Sequence, residues 1–550
     1  MTAGCTFGGS DTSSGGSAAG TATPTPEDLS KRAAAIAAAM PDEDLVGQVL
    51  MPYAYGNDAT TVTAGSQKAN QRYAGVATAA EMIDKYRLGG MILVGWSADD
   101  PTAGTNKTTN VESPTQVRAL TSGLQAAAAP LGVAAPILIA TDQEYGTVIR
   151  IKNGVAQLPT ALGLGAGHDP DITQRAWAAA GIDLAAMGVN VDFAPDADVL
   201  GDRAGGVIGS RSFGSDPQAV AEQVAAAVRG LEGSGVAATL KHFPGHGQTT
   251  ADSHTKLPVL GQSRQNLDAV DLAPFVAGIQ AKAGLIMSGH LDVRAIDPGV
   301  PASFSSKVLI DLLRGELGFS GVVVSDSLNM EPAKQWPVGE AAVRALVAGN
   351  DLLLMPPNLE AAQRGLLDGL ASGSLPRERL VEAATRVLTL RLRLGTENQP
   401  EASEINSGAN RDAVAAASAA AVTVFKGPCG TRAVTGSVRV TAPAKRDQQR
   451  QWLRAALRDR GVTLTASGGT RVHLVGYGDG SSALAADAAI TVAMDTPYVL
   501  GRAKSDMLIA TYASTQPAME ALADVLAGTV SAPGRSPVAV GSLPRSACER

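Results

Sequence analysis

At 550 residues the chain is long for one domain and comfortable for two. A net charge of −7, with 18% charged residues, leaves no basic stripe to meet phosphates and excludes a nucleic-acid partner. No apolar run reaches the ~20 residues needed to cross a bilayer, and aromatics are scarce, so the cores must be built from small aliphatic residues.

The N-terminus reads as an anchor and a tether. Thr2-Ala3-Gly4-Cys5 resembles the end of a bacterial lipoprotein signal, in which Cys5 would be lipidated after cleavage. The apolar segment that should precede it is not in the sequence, so Met1 reads as an added start. Residues 1–27, rich in Gly, Ser, Thr and Pro, are expected to form a disordered tether. A lipid at Cys5 would be the only membrane contact, and it implies life outside the cytoplasmic membrane.

Residues 28–395 alternate strand-like runs with helical segments. The runs are Leu45–Pro52, Leu88–Gly95, Pro136–Glu144, Val189–Val199, Val236–Gly247, Gly284–Val293, Gly321–Met330 and Asp351–Pro357, with helical composition at Asp216–Glu232 and Glu340–Ala348. Eight such units predict an α/β fold of the (β/α)8 TIM-like barrel type, with a doubly wound sheet as the other arrangement. Polar residues gather where the strands end: Asp142-Gln143-Glu144, Asp192 to Asp198, Ser288-Gly289-His290 and Ser325-Asp326. That rim reads as an active site.

The richest stretch is Lys241-His242-Phe243-Pro244-Gly245-His246-Gly247, followed by Asp252-Ser253-His254. An apolar run leads into it, and Pro244, Gly245 and Gly247 forbid regular structure, so the polar groups sit on a loop at a strand end. Asp252 and His254 are close enough for the carboxylate to orient the imidazole. His242 and His246 are four apart, but Pro244 and Gly245 rule out the helix that would converge them on zinc, so no metal and no cofactor is expected.

These motifs resemble the signature of bacterial β-N-acetylglucosaminidases of glycoside hydrolase family 3, and the resemblance extends over the whole barrel. It implies Asp326 as the nucleophile, Asp252 and His254 as the acid/base pair, and Asp142, Arg211, Lys241 and His242 as sugar-binding groups. Two departures stand out. Tyr145 follows Asp142-Gln143-Glu144 where glycine is usual, and would narrow the rim or add a stacking face. Ser327 stands where many relatives have a second aspartate.

Residues 396–412 read as a linker and 413–550 as a smaller αβα sandwich domain. Strands are expected at Val438–Val440, Val472–Val475 and Ala489–Ala493, and helices at Asp447–Arg458 and Ala518–Leu526. With Cys5 taken by lipid, an exported chain has Cys429 and Cys548 left to pair as a disulfide. The resemblance implies an exo-acting, retaining hydrolase of N-acetylglucosamine-containing oligosaccharides such as peptidoglycan fragments, working as a monomer. Two other readings remain: a phosphorylase that uses phosphate as acceptor, and a sugar-binding lipoprotein with a dead site.

Overall fold

The computed structural model describes residues 25–95, 110–201, 206–249 and 251–548. Cys5 and residues 1–24 of the expected tether lie outside the described residues. The tether reading ran slightly too far. A helix already spans Pro26–Ala39, because Thr25 and Asp28 form a reciprocal capping box and Pro26 suits the first helical turn.

Among the described residues, eight parallel strands form the barrel of the first domain: β1 (Leu50–Met51), β2 (Gly90–Leu93), β3 (Leu138–Thr141), β4 (Val191–Asp192), β5 (Ala237–Phe243), β6 (Leu285–Ser288), β7 (Val322–Ser325) and β8 (Leu353–Leu354). From β2 to β7 each strand pairs in parallel with the next. β1 and β8 close the ring. Leu50 pairs with Leu353, Leu352 bridges Val324, and the Ile92 amide donates to the Pro52 carbonyl at 3.0 Å. An open doubly wound sheet would leave two edges, whereas here every strand has a neighbour on both sides.

Each of the eight strand-like runs contains one barrel strand. The first run starts too early, since Leu45 to Gln48 belong to a helix, Asp42–Gln48, whose first turn carries three acidic residues that favour a helix N-terminus. The strands are continuously buried, as parallel strands between a packed interior and a helical shell must be. The helix Pro217–Glu232 is capped by Asp216, and its apolar stripe packs on the helix Pro170–Ala186.

The second domain is a six-stranded sheet of β9 (Thr423–Lys426), β10 (Ser437–Thr441), β11 (Thr463–Leu464), β12 (Thr470–Val475), β13 (Ile490–Ala493) and β14 (Met507–Ala510), in the order β9-β14-β13-β12-β10-β11. Only the edge strand β9 runs antiparallel to its neighbour. Side-chain alternation sorts its two faces. Val424, Leu474, Val492 and Ile509 pack against the domain's helices Asp447–Asp459 and Gln516–Ala527. Their neighbours Phe425, Val475, Ala493, Leu508 and Ala510 join Leu162, Ala166, Leu200 and Ile208 of the barrel in a shared apolar interface.

The linker expected at 396–412 is only partly a linker. Its last residues begin the helix Gly408–Ala421, capped by Ser407. Asn410 donates to the buried Asp183 at 2.7 Å, and Val414 and Ala417 enter the barrel's core, so this helix docks on the barrel before β9 begins. Cys429 and Cys548 are joined by a disulfide, with Cα atoms 5.4 Å apart, tying the start of the second domain to its end. Among the described residues no helix is long and apolar enough to cross a membrane.

Candidate active site

The strand ends converge on one cavity, and charge pairing organises its floor. After β3 the chain makes a short hairpin, Gln143–Tyr145 against Val148–Ile149. The Gln143 side chain holds it shut: its Oε1 accepts the amides of Arg150 and Ile151 at 3.1 and 3.0 Å, and its Nε2 donates to the Ile151 carbonyl. The fold-back returns Arg150 to Asp142, where Nη2 donates to Oδ2 at 2.9 Å. Lys241, at the end of β5, lies between Asp142 (3.2 Å) and Glu144 (2.5 Å). Arg211 grips Glu144 with two bonds, of 2.6 and 2.9 Å. Burial alone would push the Glu144 carboxyl up, but Arg211 and Lys241 outweigh it and hold it at about 2.

A second layer orients His242. Its Nδ1 meets Asp198 Oδ2 at 2.9 Å, while Asp198 Oδ1 accepts the amides of His242 and His246 at 3.2 and 2.6 Å. Burial and the nearby Arg211 guanidinium hold His242 well below the ordinary imidazole range, so it is neutral. Its proton sits on Nδ1, because Nε2 faces a donor, Arg211 Nη2, at 3.4 Å. Burial and the adjacent Asp198 push Asp196 well above the usual carboxyl range. Burial raises Asp198 to about 7 despite its two amide donors. Asp196, Asp198 and His242 bring potential ligand atoms within 4.8 Å of one another. Here the Asp198 and His242 atoms bond each other.

The loop after β5 is shaped by its glycines. Gly245 sits at φ +130°, and a Cβ on Gly247 would fall 2.1 Å from the Val199 carbonyl oxygen. His246 locks this loop, with Nδ1 against Thr249 Oγ1 at 2.7 Å and Nε2 against Ser253 Oγ at 3.3 Å. Ser253 lies between Asp252 and His254. Asp252 Oδ1 accepts the backbone amide of His254 at 2.9 Å and meets its Nδ1 at 2.8 Å. The ring's orientation is thereby fixed, and Nε2 is left for a substrate atom. The Asp252 carboxyl is pushed up by burial, but its hydrogen bonds from His254 prevail and hold it below the usual range.

Asp326 directly follows β7. Burial pushes its carboxyl up, while His290, His254 and the Ser327 amide, 2.7 Å from Oδ1, outweigh that and keep it below the usual range. His290 is itself fixed, with Nε2 donating to the Ser327 carbonyl at 3.0 Å and Nδ1 against Ser303 Oγ at 2.6 Å. An anionic carboxylate with one free oxygen edge is what a nucleophile requires.

Asp142, Arg211, Lys241, His242, Asp252, His254 and Asp326 all line this one cavity. The sequence reading missed the supporting groups Glu144, Arg150, Asp198, His246 and His290. Glu144, Asp198 and His290 stood in the strand-end polar runs without a signal for their roles. Arg150 had no signal, because only the hairpin returns it to Asp142. Tyr145 does not lie on the rim. It adopts φ +65°, is buried, and packs edge-on against Trp177 with ring centres 5.8 Å apart. The glycine usual there accords with that left-handed backbone, and burial of the tyrosine ring offsets the strain.

A closed barrel whose strand ends gather an anionic carboxylate, a carboxylate-held imidazole and a ring of paired charges has the arrangement of a glycoside hydrolase. The family model described as the glycosyl hydrolase family 3 N-terminal domain matches residues 44–390, and the chain belongs to that family. A β-hexosaminidase A from Pseudoalteromonas piscicida is 34% identical over 342 residues, 57% of this chain and 55% of that protein, so the chain spans about half of that relative's length. A β-hexosaminidase from Alkalilimnicola ehrlichii is 40% identical over 260 residues, 46% of this chain and 72% of the relative. Among solved structures, a glycoside hydrolase family 3 β-N-acetylglucosaminidase from Paenibacillus sp. str. FPU-7 has 29% identity and a TM-score of 0.78, covering 92% of this chain and 99% of its own.

Proposed function

We propose that the chain is a retaining exo-β-N-acetylglucosaminidase that releases terminal N-acetylglucosamine from peptidoglycan fragments. The observation that carries this reading is the placement of Asp326 and the Asp252–His254 pair on one cavity floored by Asp142, Lys241 and Arg211. Family membership and the β-hexosaminidase relatives support the substrate class.

In the first step an Asp326 carboxylate oxygen attacks the anomeric carbon and forms a glycosyl ester. The bond to the leaving oxygen breaks, and that oxygen takes the Nε2 proton of the His254 imidazolium. Asp252 stabilises the imidazolium through Nδ1. In the second step water attacks the same carbon, Nε2 takes its proton, and the Asp326 ester bond breaks. Asp142, Lys241, Arg211 and His242 hold the ring hydroxyls, which fixes the reacting geometry. A lipid at Cys5 would place the enzyme outside the cytoplasmic membrane, and the Cys429–Cys548 disulfide is in keeping with an oxidising compartment.

The test is cleavage of an aryl β-N-acetylglucosaminide in phosphate buffer, followed by proton and phosphorus NMR. Free β-N-acetylglucosamine as the first product supports the proposal. The α-anomer first would refute retention, and a dominant sugar 1-phosphate would replace the hydrolase with a phosphorylase.

A further inference from the structure

The turn that delivers Arg211 to the cavity is held from outside the barrel. It is a single tight turn, Gly209–Arg211, closed by the Arg211 amide donating to the Ile208 carbonyl at 3.1 Å. On the barrel side, Ser212 Oγ donates to the Asp198 carbonyl at 2.6 Å. On the other side, Ser210 Oγ donates to Asp495 Oδ1 at 2.5 Å, a contact spanning 285 residues of sequence. Asp495 stands two residues beyond β13, a central strand of the second sheet, with Arg446 close by. Further along the same segment, the Ser215 amide and hydroxyl both donate to the Pro537 carbonyl, at 3.2 and 3.0 Å. Ile208 is buried in the apolar interface with Leu500 and Val540. Residues 208–215 are therefore clamped between the two domains, with Arg211 at the centre.

We propose that Asp495 is a positioning residue: through Ser210 it fixes the backbone from which Arg211 reaches the sugar, so the second domain helps to set affinity at the barrel's active site. The inference rests on the reading of Arg211 as a sugar-binding group. Glu144 holds the guanidinium tip by two bonds, but the arginine stem is flexible, and a tip held from one end alone can follow Glu144 while the turn shifts. Fixing both ends leaves one guanidinium position. Asparagine at 495 keeps a carboxamide oxygen to accept the Ser210 hydroxyl, whereas alanine does not.

The experiment measures kcat and KM on an aryl β-N-acetylglucosaminide for the full chain carrying Ser210→Ala, Asp495→Ala, both together, and Asp495→Asn. The set is repeated in an Arg211→Lys background. We expect Ser210→Ala and Asp495→Ala each to lower kcat/KM about tenfold, chiefly by raising KM, with Asp495→Asn within about threefold of wild type. The double variant should lose no more than the worse single one. In the Arg211→Lys background the same changes should cost nothing further, a result that a general loss of fold integrity would not give. Ser210→Ala removes only a hydroxyl, so it remains informative if Asp495→Ala fails to fold. Near-wild-type kinetics for Ser210→Ala while Arg211→Lys is impaired would overturn the clamp. So would losses that persist in the Arg211→Lys background. Wild-type kinetics for Arg211→Lys itself would instead overturn the sugar-binding role on which the inference rests.

Discussion

Glu144→Gln is the perturbation whose size the geometry sets most directly. Glu144 is buried and is the anion shared by Arg211, at 2.6 and 2.9 Å, and Lys241, at 2.5 Å. Those cations hold its carboxyl at about 2 against an ordinary 4.5. At about 1.4 kcal/mol for each pH unit, the difference corresponds to roughly 3 kcal/mol of folding stability. Because the folded pKa is depressed, this contribution is complete above 4.5 and is lost as pH falls toward about 2. The amide keeps the shape but leaves two buried cations less compensated. Urea unfolding of the barrel, followed near neutral pH and again near pH 3, reads the effect as a change in midpoint multiplied by the common slope. The variant should be less stable by about 3 kcal/mol near neutrality, with the gap roughly halved near pH 3. A gap below about 1 kcal/mol at neutrality, or one undiminished in acid, would refute the reasoning.

Other outcomes follow from the same geometry. Replacing His254 with alanine should slow the release of poor leaving groups by about a hundredfold or more, and that of good ones much less, as steady-state rates across a series of aryl glycosides would show. A uniform loss would deny it the proton-donor role. Since the neighbouring imidazoles and the Ser327 amide hold Asp326 below the usual range, the rate of trapping by an activated fluorosugar should stay constant from neutrality down to about pH 4. A decline centred near pH 6 would contradict that. Changing Cys429 and Cys548 together to serine opens a loop of 119 residues and should lower the second domain's stability by about 4–5 kcal/mol in thermal or urea unfolding.

The sequence made the barrel and the rim legible for one reason. A buried parallel strand is a short apolar run, and charged residues directly after such a run have to find partners at its end. Lys241 and Asp326 were visible in that way, and Pro244, Gly245 and Gly247 marked the loop that carries His254. What stayed hidden depends on the chain returning to itself. Arg150 reaches Asp142 only because the hairpin folds back, and the roles of Glu144 and Asp198 come from neighbours on other strands. Tyr145 looked like a rim residue because the sequence does not show a backbone at φ +65° turning the ring inward. The strands Thr423–Lys426 and Met507–Ala510 went unread, being four residues each and lying near alanine-rich helices. Asp495 comes from another domain, 285 residues away from Ser210, and no local pattern announces it.

The central claim is that Asp326 forms a covalent bond to the sugar. The direct measurement is to incubate the native enzyme with an activated fluoro analogue of N-acetylglucosamine, digest it and locate the added mass by tandem mass spectrometry. The account predicts a glycosyl ester on the peptide carrying Asp326, absent when Asp326 is replaced by asparagine and released again as the trapped enzyme turns over. A label on Asp142, Asp252 or any other carboxylate, or turnover of the analogue with inversion and no ester, would contradict it.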